Sequence, residues 1–240
     1  MTIELMADFG QFGEIARTPL SRLRKISGTR LTRSWQTIPH VTNFHEADVT
    51  ELESFRVAVN REHSGKIKLT MLSFLIKAAT ATLKRFPEFN SSLDGQELVL
   101  KRYFHLGFAA DTRNGLIVPV IRDTEKKGLL EIAAEVTALS LQARQGKLQQ
   151  ADMQGGSFSI SSLGGVDGTG FTPIINAPEV AILGAARTRT KPSWDGERFQ
   201  PRLILPLSLS WDHRVVDGTA AARFLDHLAG LLRDLLRVAL

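Results

Sequence analysis

The stretch Ser208-Leu209-Ser210-Trp211-Asp212-His213-Arg214-Val215-Val216-Asp217-Gly218 sets how the rest of the chain is read. An apolar run, Leu203 to Leu209, feeds into it, and an amphipathic segment, Thr219 to Leu240, leaves it. A histidine with carboxylates one residue before and four residues after therefore sits where a strand should hand over to a helix. At such a junction side chains point into a cleft while the backbone stays rigid. Histidine has an unperturbed pKa of about 6.5, suited to proton transfer near neutrality. His213 is thus a candidate general base. The blander alternative is a hydrogen-bonded surface pair, with Asp212 anchoring the turn and Asp217 capping the last helix.

Working back from this stretch, Phe199 to Ser210 reads as its strand and Lys191 to Arg198, with Asp195-Gly196, as a hairpin tip. Val180 to Arg187 and Ser157 to Ser162 read as further strands. The glycine-rich loop between them, 164–170, follows neither G-x-G-x-x-G nor a P-loop ending, and no helix follows it. A tight connection is favoured over a phosphate cradle. The serine-rich strand lacks G-x-S-x-G, so no hydrolase elbow is indicated. Gly128 to Lys147 carries a helical repeat, and Leu116 to Arg122 is a strand whose Pro119 argues for an edge or bulge. Asn114-Gly115 marks a hairpin turn after the strand Phe104 to Asp111, and Gln96 to Arg102 is the strand before that.

Met71 to Phe86 is an apolar helix stopped by Pro87, suited to lie against a sheet. Thr50-Glu51-Leu52-Glu53 resembles a capping box opening a helix to about Glu62. Val41 to Val49 alternates as a strand, with His40 and His45 on opposite faces, so no shared metal is expected. Thr18-Pro19 reads as N-cap and first helical residue of a helix reaching Trp35. Residues 1–16 carry Met6, Phe9 and Phe12 and suit an arm lying on another subunit. The whole, 1–240, reads as one α+β domain: a mixed sheet flanked by helices.

Composition narrows the function. The chain has 240 residues, 43% hydrophobic and 23% charged, and no cysteine. Disulfides, thiolate metal sites and a cysteine nucleophile are excluded; any thiol in the chemistry belongs to a substrate. No apolar run reaches the roughly 18 residues of a membrane span and no signal-peptide order opens the chain, so a cytoplasmic protein is expected. The net charge of +5 concentrates between Arg17 and Arg33. A solvated helix face or subunit contact explains it first, an anionic ligand second. Nucleic acid comes third, because no zinc-finger, basic-zipper or aromatic RNA-binding pattern accompanies the charge.

Asp212-His213-Arg214-Val215-Val216-Asp217-Gly218 resembles the D-H-R-x-x-D-G signature of the acyltransferase (E2) components of 2-oxo-acid dehydrogenase complexes. The resemblance runs through Ile38-Pro39-His40-Val41-Thr42, Phe86-Pro87-Glu88-Phe89-Asn90-Ser91-Ser92 and Asp111 to Val120. It continues through Phe158-Ser159-Ile160-Ser161-Ser162-Leu163-Gly164 and Ile174 to Gly184. Within the family the pyruvate dehydrogenase branch is the nearest likeness. Chloramphenicol acetyltransferase shares the fold, but its motif opens with a second histidine where Asp212 stands.

The resemblance implies a chloramphenicol acetyltransferase-like, trimer-forming fold and acetyl transfer between a dihydrolipoamide thiol and coenzyme A. It implies His213 as general base, Ser161 as donor to the tetrahedral oxyanion, and Asp217 as a residue holding the site. The histidine of one subunit would meet the serine of the next, and trimers would pack as a cubic, octahedral core. Val238-Ala239-Leu240 would then plug into a neighbouring trimer. The lipoyl and peripheral-subunit-binding domains of the family, which serve the lipoyl group and the E1 and E3 components, are absent from this chain. Residues gripping coenzyme A are not identified, and no metal is implied. Succinyl or branched-chain transfer, a catalytically vestigial scaffold and a basic nucleic-acid-binding module are the alternatives.

Overall fold

The computed structural model describes residues 8–62, 68–113, 115–164 and 168–234. In chain order its elements are α1 (Arg22–Thr37), β1 (His40–Asp48), α2 (Thr50–Glu62), α3 (Met71–Arg85), β2 (Ser91–Asp94) and β3 (Glu97–Leu100). There follow β4 (Leu106–Phe108), β5 (Ala110–Thr112), β6 (Gly115–Ile117), β7 (Val120–Ile121), α4 (Leu129–Arg144) and β8 (Phe158–Ser162). The last are β9 (Ala181–Ala185), β10 (Arg189–Trp194), β11 (Phe199–Asp212) and α5 (Gly218–Arg233). The main sheet runs β1-β11-β9-β8-β4-β7, with β10 also paired to β11. It is mixed, as expected: β8 is parallel to both β4 and β9, and the other pairings are antiparallel.

Alternation decides what each face of the sheet carries. On β11, Leu207, Leu209 and Trp211 join one core with Phe158 and Ile160 of β8 and with the buried faces of α3, α4 and α5. Ser208, Ser210 and Asp212 point the other way and are also buried, so the second face is polar but covered. Thr42 of β1 shares a hydroxyl–hydroxyl bond of 2.8 Å with Ser210 there. Pro206 interrupts this long strand without breaking it. Its missing N–H falls where β11 changes partner from β10 to β9, and its carbonyl still accepts from Ala186 N–H.

Several boundaries differ from the sequence reading, each for a local reason. The first helix is capped by Ser21, whose Oγ accepts from Arg24 N–H, and not by Thr18. The residues around Thr18-Pro19 precede the helix in irregular backbone. At α2 the capping box is replaced by Asp48, which accepts from the N–H (3.0 Å) and hydroxyl (2.6 Å) of Thr50 and also binds Arg202. These bonds hold the Asp48 carboxyl below its usual range against the opposing effect of burial, the largest single influence. Residues 191–194 belong to β10; the hairpin tip shrinks to Asp195–Arg198, where Asp195 accepts two backbone N–H groups.

The strand expected around Pro119 splits into β6 and β7, and β7 forms the sheet edge, because proline has no ladder donor. Strand β2 was not legible in Ser91-Ser92-Leu93-Asp94. It pairs with β3 through a turn in which Gly95 takes a positive φ of 57°. Met6 and Val238-Ala239-Leu240 lie outside the described residues, as does part of the glycine-rich loop. Phe9 and Phe12 form an exposed 3-10 turn, and α1 buries only Ser34 while exposing Ile26, Leu31 and Trp35. No helix among the described residues is long and apolar enough to cross a membrane.

Phe224 of α5 anchors the core. Its ring lies 4.6 Å from Phe89, 5.9 Å from Phe86 and 6.0 Å from Phe158. Phe224→Ala removes that hub and leaves a cavity costing about 3–5 kcal/mol, so thermal unfolding should move down by roughly 10 °C. A calorimetric scan of the variant beside the unsubstituted protein measures the shift.

Candidate active site

The turn after β11 is built by its own backbone. Asp212 carbonyl accepts from Val215 and Val216 N–H at 2.9 and 3.1 Å, which reverses the chain immediately after the strand. The buried Asp212 carboxylate holds Arg214 with a backbone bond of 3.0 Å and a two-pronged guanidinium contact, 2.9 Å to Oδ1 and 2.6 Å to Oδ2. The pair raises the Arg214 guanidinium above its ordinary pKa, chiefly through the hydrogen bond.

His213 is pinned by its backbone, whose N–H donates to Pro39 carbonyl at 3.1 Å. Its ring lies 4.8 Å from the indole of the buried Trp211, and the side chain is exposed. Trp211 in turn donates its indole N–H to Asn43 at 2.9 Å. Among the described residues none hydrogen-bonds the imidazole. Asp217 does not orient it either: its Oδ1 accepts from Ala220 N–H at 2.8 Å and caps α5. Both carboxylates of the motif therefore have structural partners within the chain, and the histidine between them presents a rigid, unclaimed base.

Ser161 lies on β8 on the polar face of the sheet, half-buried, with no described residue bonded to its hydroxyl. The register places it beside Gly184, which is itself opposite Ser208. A Cβ on Gly184 would meet Ser208 Oγ at 2.3 Å and Phe171 at 3.0 Å, so this row tolerates only glycine at its centre. Ser161 and His213 sit at opposite ends of the sheet. The register puts them about 17 Å apart along the strands and about 10 Å apart across them. A single chain does not bring the two together. Both ring nitrogens of His40 are engaged within the chain: Nδ1 contacts Ile38 carbonyl and Nε2 accepts from Ile175 N–H.

Behind the His213 turn lies a hollow of about 430 Å³ lined by Arg30 and Arg33 of α1, the 176–180 segment and the Asp212–Arg214 pair. Part of the basic run noticed in the sequence thus lies next to the site. Sequence reasoning missed Trp211, Gly184 and Glu179 as parts of this region. The alternation of β11 signals that Trp211 faces away from Asp212. Nothing local marks Gly184 or Glu179, whose roles come from strands distant in sequence.

The chain is 61% identical, over 97% of its length, to the dihydrolipoyllysine-residue acetyltransferase component of the pyruvate dehydrogenase complex of Cupriavidus necator, and spans 42% of that relative. It superposes with a TM-score of 0.95 and 53% identity on the Azotobacter vinelandii dihydrolipoamide acetyltransferase, covering 98% of each chain. That structure addresses one serine, one histidine and one asparagine in the catalytic mechanism. The cubic core of a pyruvate dehydrogenase multienzyme complex matches equally, with a TM-score of 0.95, 54% identity and 98% of each chain covered. Chloramphenicol acetyltransferase shares the fold at 14% identity, with a TM-score of 0.58 over 85% of this chain and 94% of its own. The family model for 2-oxoacid dehydrogenases acyltransferase (catalytic domain) matches residues 12–240, and the chain belongs to that family.

Proposed function

We propose that this domain transfers an acetyl group between the thiol of dihydrolipoamide and that of coenzyme A, as part of a pyruvate dehydrogenase complex. The observation that carries the reading is one of spacing on a shared fold. In the Azotobacter enzyme the named serine and histidine stand fifty-two residues apart and the asparagine four further on. Ser161, His213 and Asp217 repeat both intervals. The relatives' names supply the acetyl group and the complex; succinyl or branched-chain transfer is the second reading, distinguished by acyl donor.

The chemistry suits the residues present. A thiol of pKa about 8.5 is only a few per cent thiolate at pH 7, so its proton must be removed as it attacks. His213 accepts that proton from coenzyme A while sulfur adds to the thioester carbonyl. Ser161 donates a hydrogen bond to the oxyanion of the tetrahedral intermediate. The intermediate then collapses, the carbon–sulfur bond to dihydrolipoamide breaks, and His213 returns the proton to the leaving sulfur. No acyl-enzyme forms, in keeping with a chain that has no cysteine. Because one chain keeps Ser161 and His213 at opposite ends of its sheet, the working site takes its histidine from one subunit and its serine from another. The exposed apolar residues of α1 and the Phe9/Phe12 turn offer surfaces for that contact, in a trimer and then a cubic core.

Asp217 acts here as a hydrogen-bond acceptor that fixes the start of α5, not through its charge. Its carboxylate caps α5, a task an amide performs equally well, and the Azotobacter enzyme has asparagine at this interval. Asp217→Asn should therefore keep the rate constant within a few-fold, whereas Asp217→Ala should cost about 1 kcal/mol of stability. Steady-state rates and melting curves of both variants decide between orientation and charge.

His213→Ala should lower kcat by about 10²–10⁴-fold and Ser161→Ala by about 10²–10³-fold, with acetyl donors preferred over succinyl and branched ones. The measurement is coenzyme A acylation from free acyl-dihydrolipoamide. Dissociating the two inactive variants and reassembling them together should restore part of the activity, since mixed interfaces unite an intact histidine with an intact serine. Failure of every reassembled mixture to recover activity would overturn the shared site.

A further inference from the structure

Glu179 is a buried carboxyl that the chemistry above does not use. Its Oε1 accepts from Ser159 Oγ at 3.0 Å and from Asn176 Nδ2 at 3.4 Å, while Oε2 is buried with no partner among the described residues. A Cβ on Gly156 would lie 3.0 Å from Oε1, so the strand leading into β8 passes close against the carboxyl.

The segment around Glu179 is tied to four separate parts of the fold. Ile175 N–H donates to His40 Nε2 at 3.0 Å, and Ser92 Oγ donates to Pro178 carbonyl at 2.6 Å. Val180 carbonyl accepts from Asp212 N–H at 2.9 Å, immediately before His213. Glu179 makes the fourth tie, to Ser159, which precedes Ser161 by two residues on the same face of β8. One short segment therefore joins the strand carrying the proposed oxyanion donor to the turn carrying the proposed base.

The charged groups around it are few. Lys101, just after β3, attracts the carboxylate but is itself half-buried, and its ammonium donates to Ser91 carbonyl at 3.3 Å. Arg30 and Arg33 of α1 line the adjoining hollow, and Asp212 and Arg214 there neutralise each other.

We propose that Glu179 is a positioning residue for acyl transfer, its buried carboxyl pinning β8 through Ser159 to the segment that holds the His213 turn. The inference rests on the acyltransferase reading. Ionisation places charge on a buried carboxyl whose Oε2 has no donor among the described residues, a desolvation cost that loosens the segment holding the His213 turn. Burial pushes the carboxyl up to about 7, against the opposing pull of Ser159, Lys101 and Asn176. For a group raised in the folded state, its stabilisation is present below the ordinary carboxylate range and is lost as pH rises through about 7.

The test compares the assembled protein with Glu179→Gln, Glu179→Ala and Ser159→Ala, measuring kcat, KM and melting temperature from about pH 6 to about pH 8.5. Glutamine keeps the acceptor and never ionises. Its kcat should match the unsubstituted protein at the acid end and exceed it by about three- to tenfold at the alkaline end. Its melting temperature should lose the decline with pH. Glu179→Ala and Ser159→Ala should lower kcat with little change in KM, and either alone suffices if the other does not fold. A kcat ratio between the glutamine variant and the unsubstituted protein that stays constant across the range would overturn the inference and leave the acyltransferase reading standing. Absence of transfer by the unsubstituted protein at every pH would remove both.

Discussion

The register of β11 is the constraint on which the rest of the structure depends. This strand pairs with β1 on one side and with β10 and then β9 on the other, so it sets the level of every neighbouring residue. A slip by one residue would send Leu207, Leu209 and Trp211 to the polar face and bring Ser208, Ser210 and Asp212 into the apolar core. The cost of burying those groups unpaired holds the register. It also holds His213, because the turn begins one residue after the last paired position, Asp212 opposite His40.

From that constraint follows a division of labour inside the D-H-R-x-x-D-G motif. Asp212 and Arg214 neutralise each other and shape the turn, and Asp217 starts α5. The histidine is thereby left exposed between two carboxylates that are each committed to a structural bond. This suits a base that works on substrates arriving from outside the chain. Residues with fully satisfied hydrogen bonds give rigidity; the unsatisfied one gives reactivity.

Much of this frame was legible in the sequence. The Ser-Leu and Phe-Ser-Ile-Ser alternations announce β11 and β8 and the face each serine takes, because strand periodicity is a local property. The apolar repeats of α3, α4 and α5 were equally plain, and Asp217 was read as an N-cap. Helix and strand ends were less readable. Ser21 displaced Thr18 as a cap, and Asp48 took the place of a capping box, since Asp48 is held there by Arg202 from the far end of the chain.

What the sequence by itself determined was the motif, His213 as a candidate base, and the mixed α+β architecture. Each depends on short-range periodicity or on residue type. Tertiary structure alone decided that Ser161 and His213 lie at opposite ends of one sheet, that Gly184 must lack a side chain beside Ser161, and that Glu179 meets Ser159 of β8. Those facts depend on which strands become neighbours and in which direction they run. Strand neighbours come from burial summed over the whole chain, which no local pattern encodes.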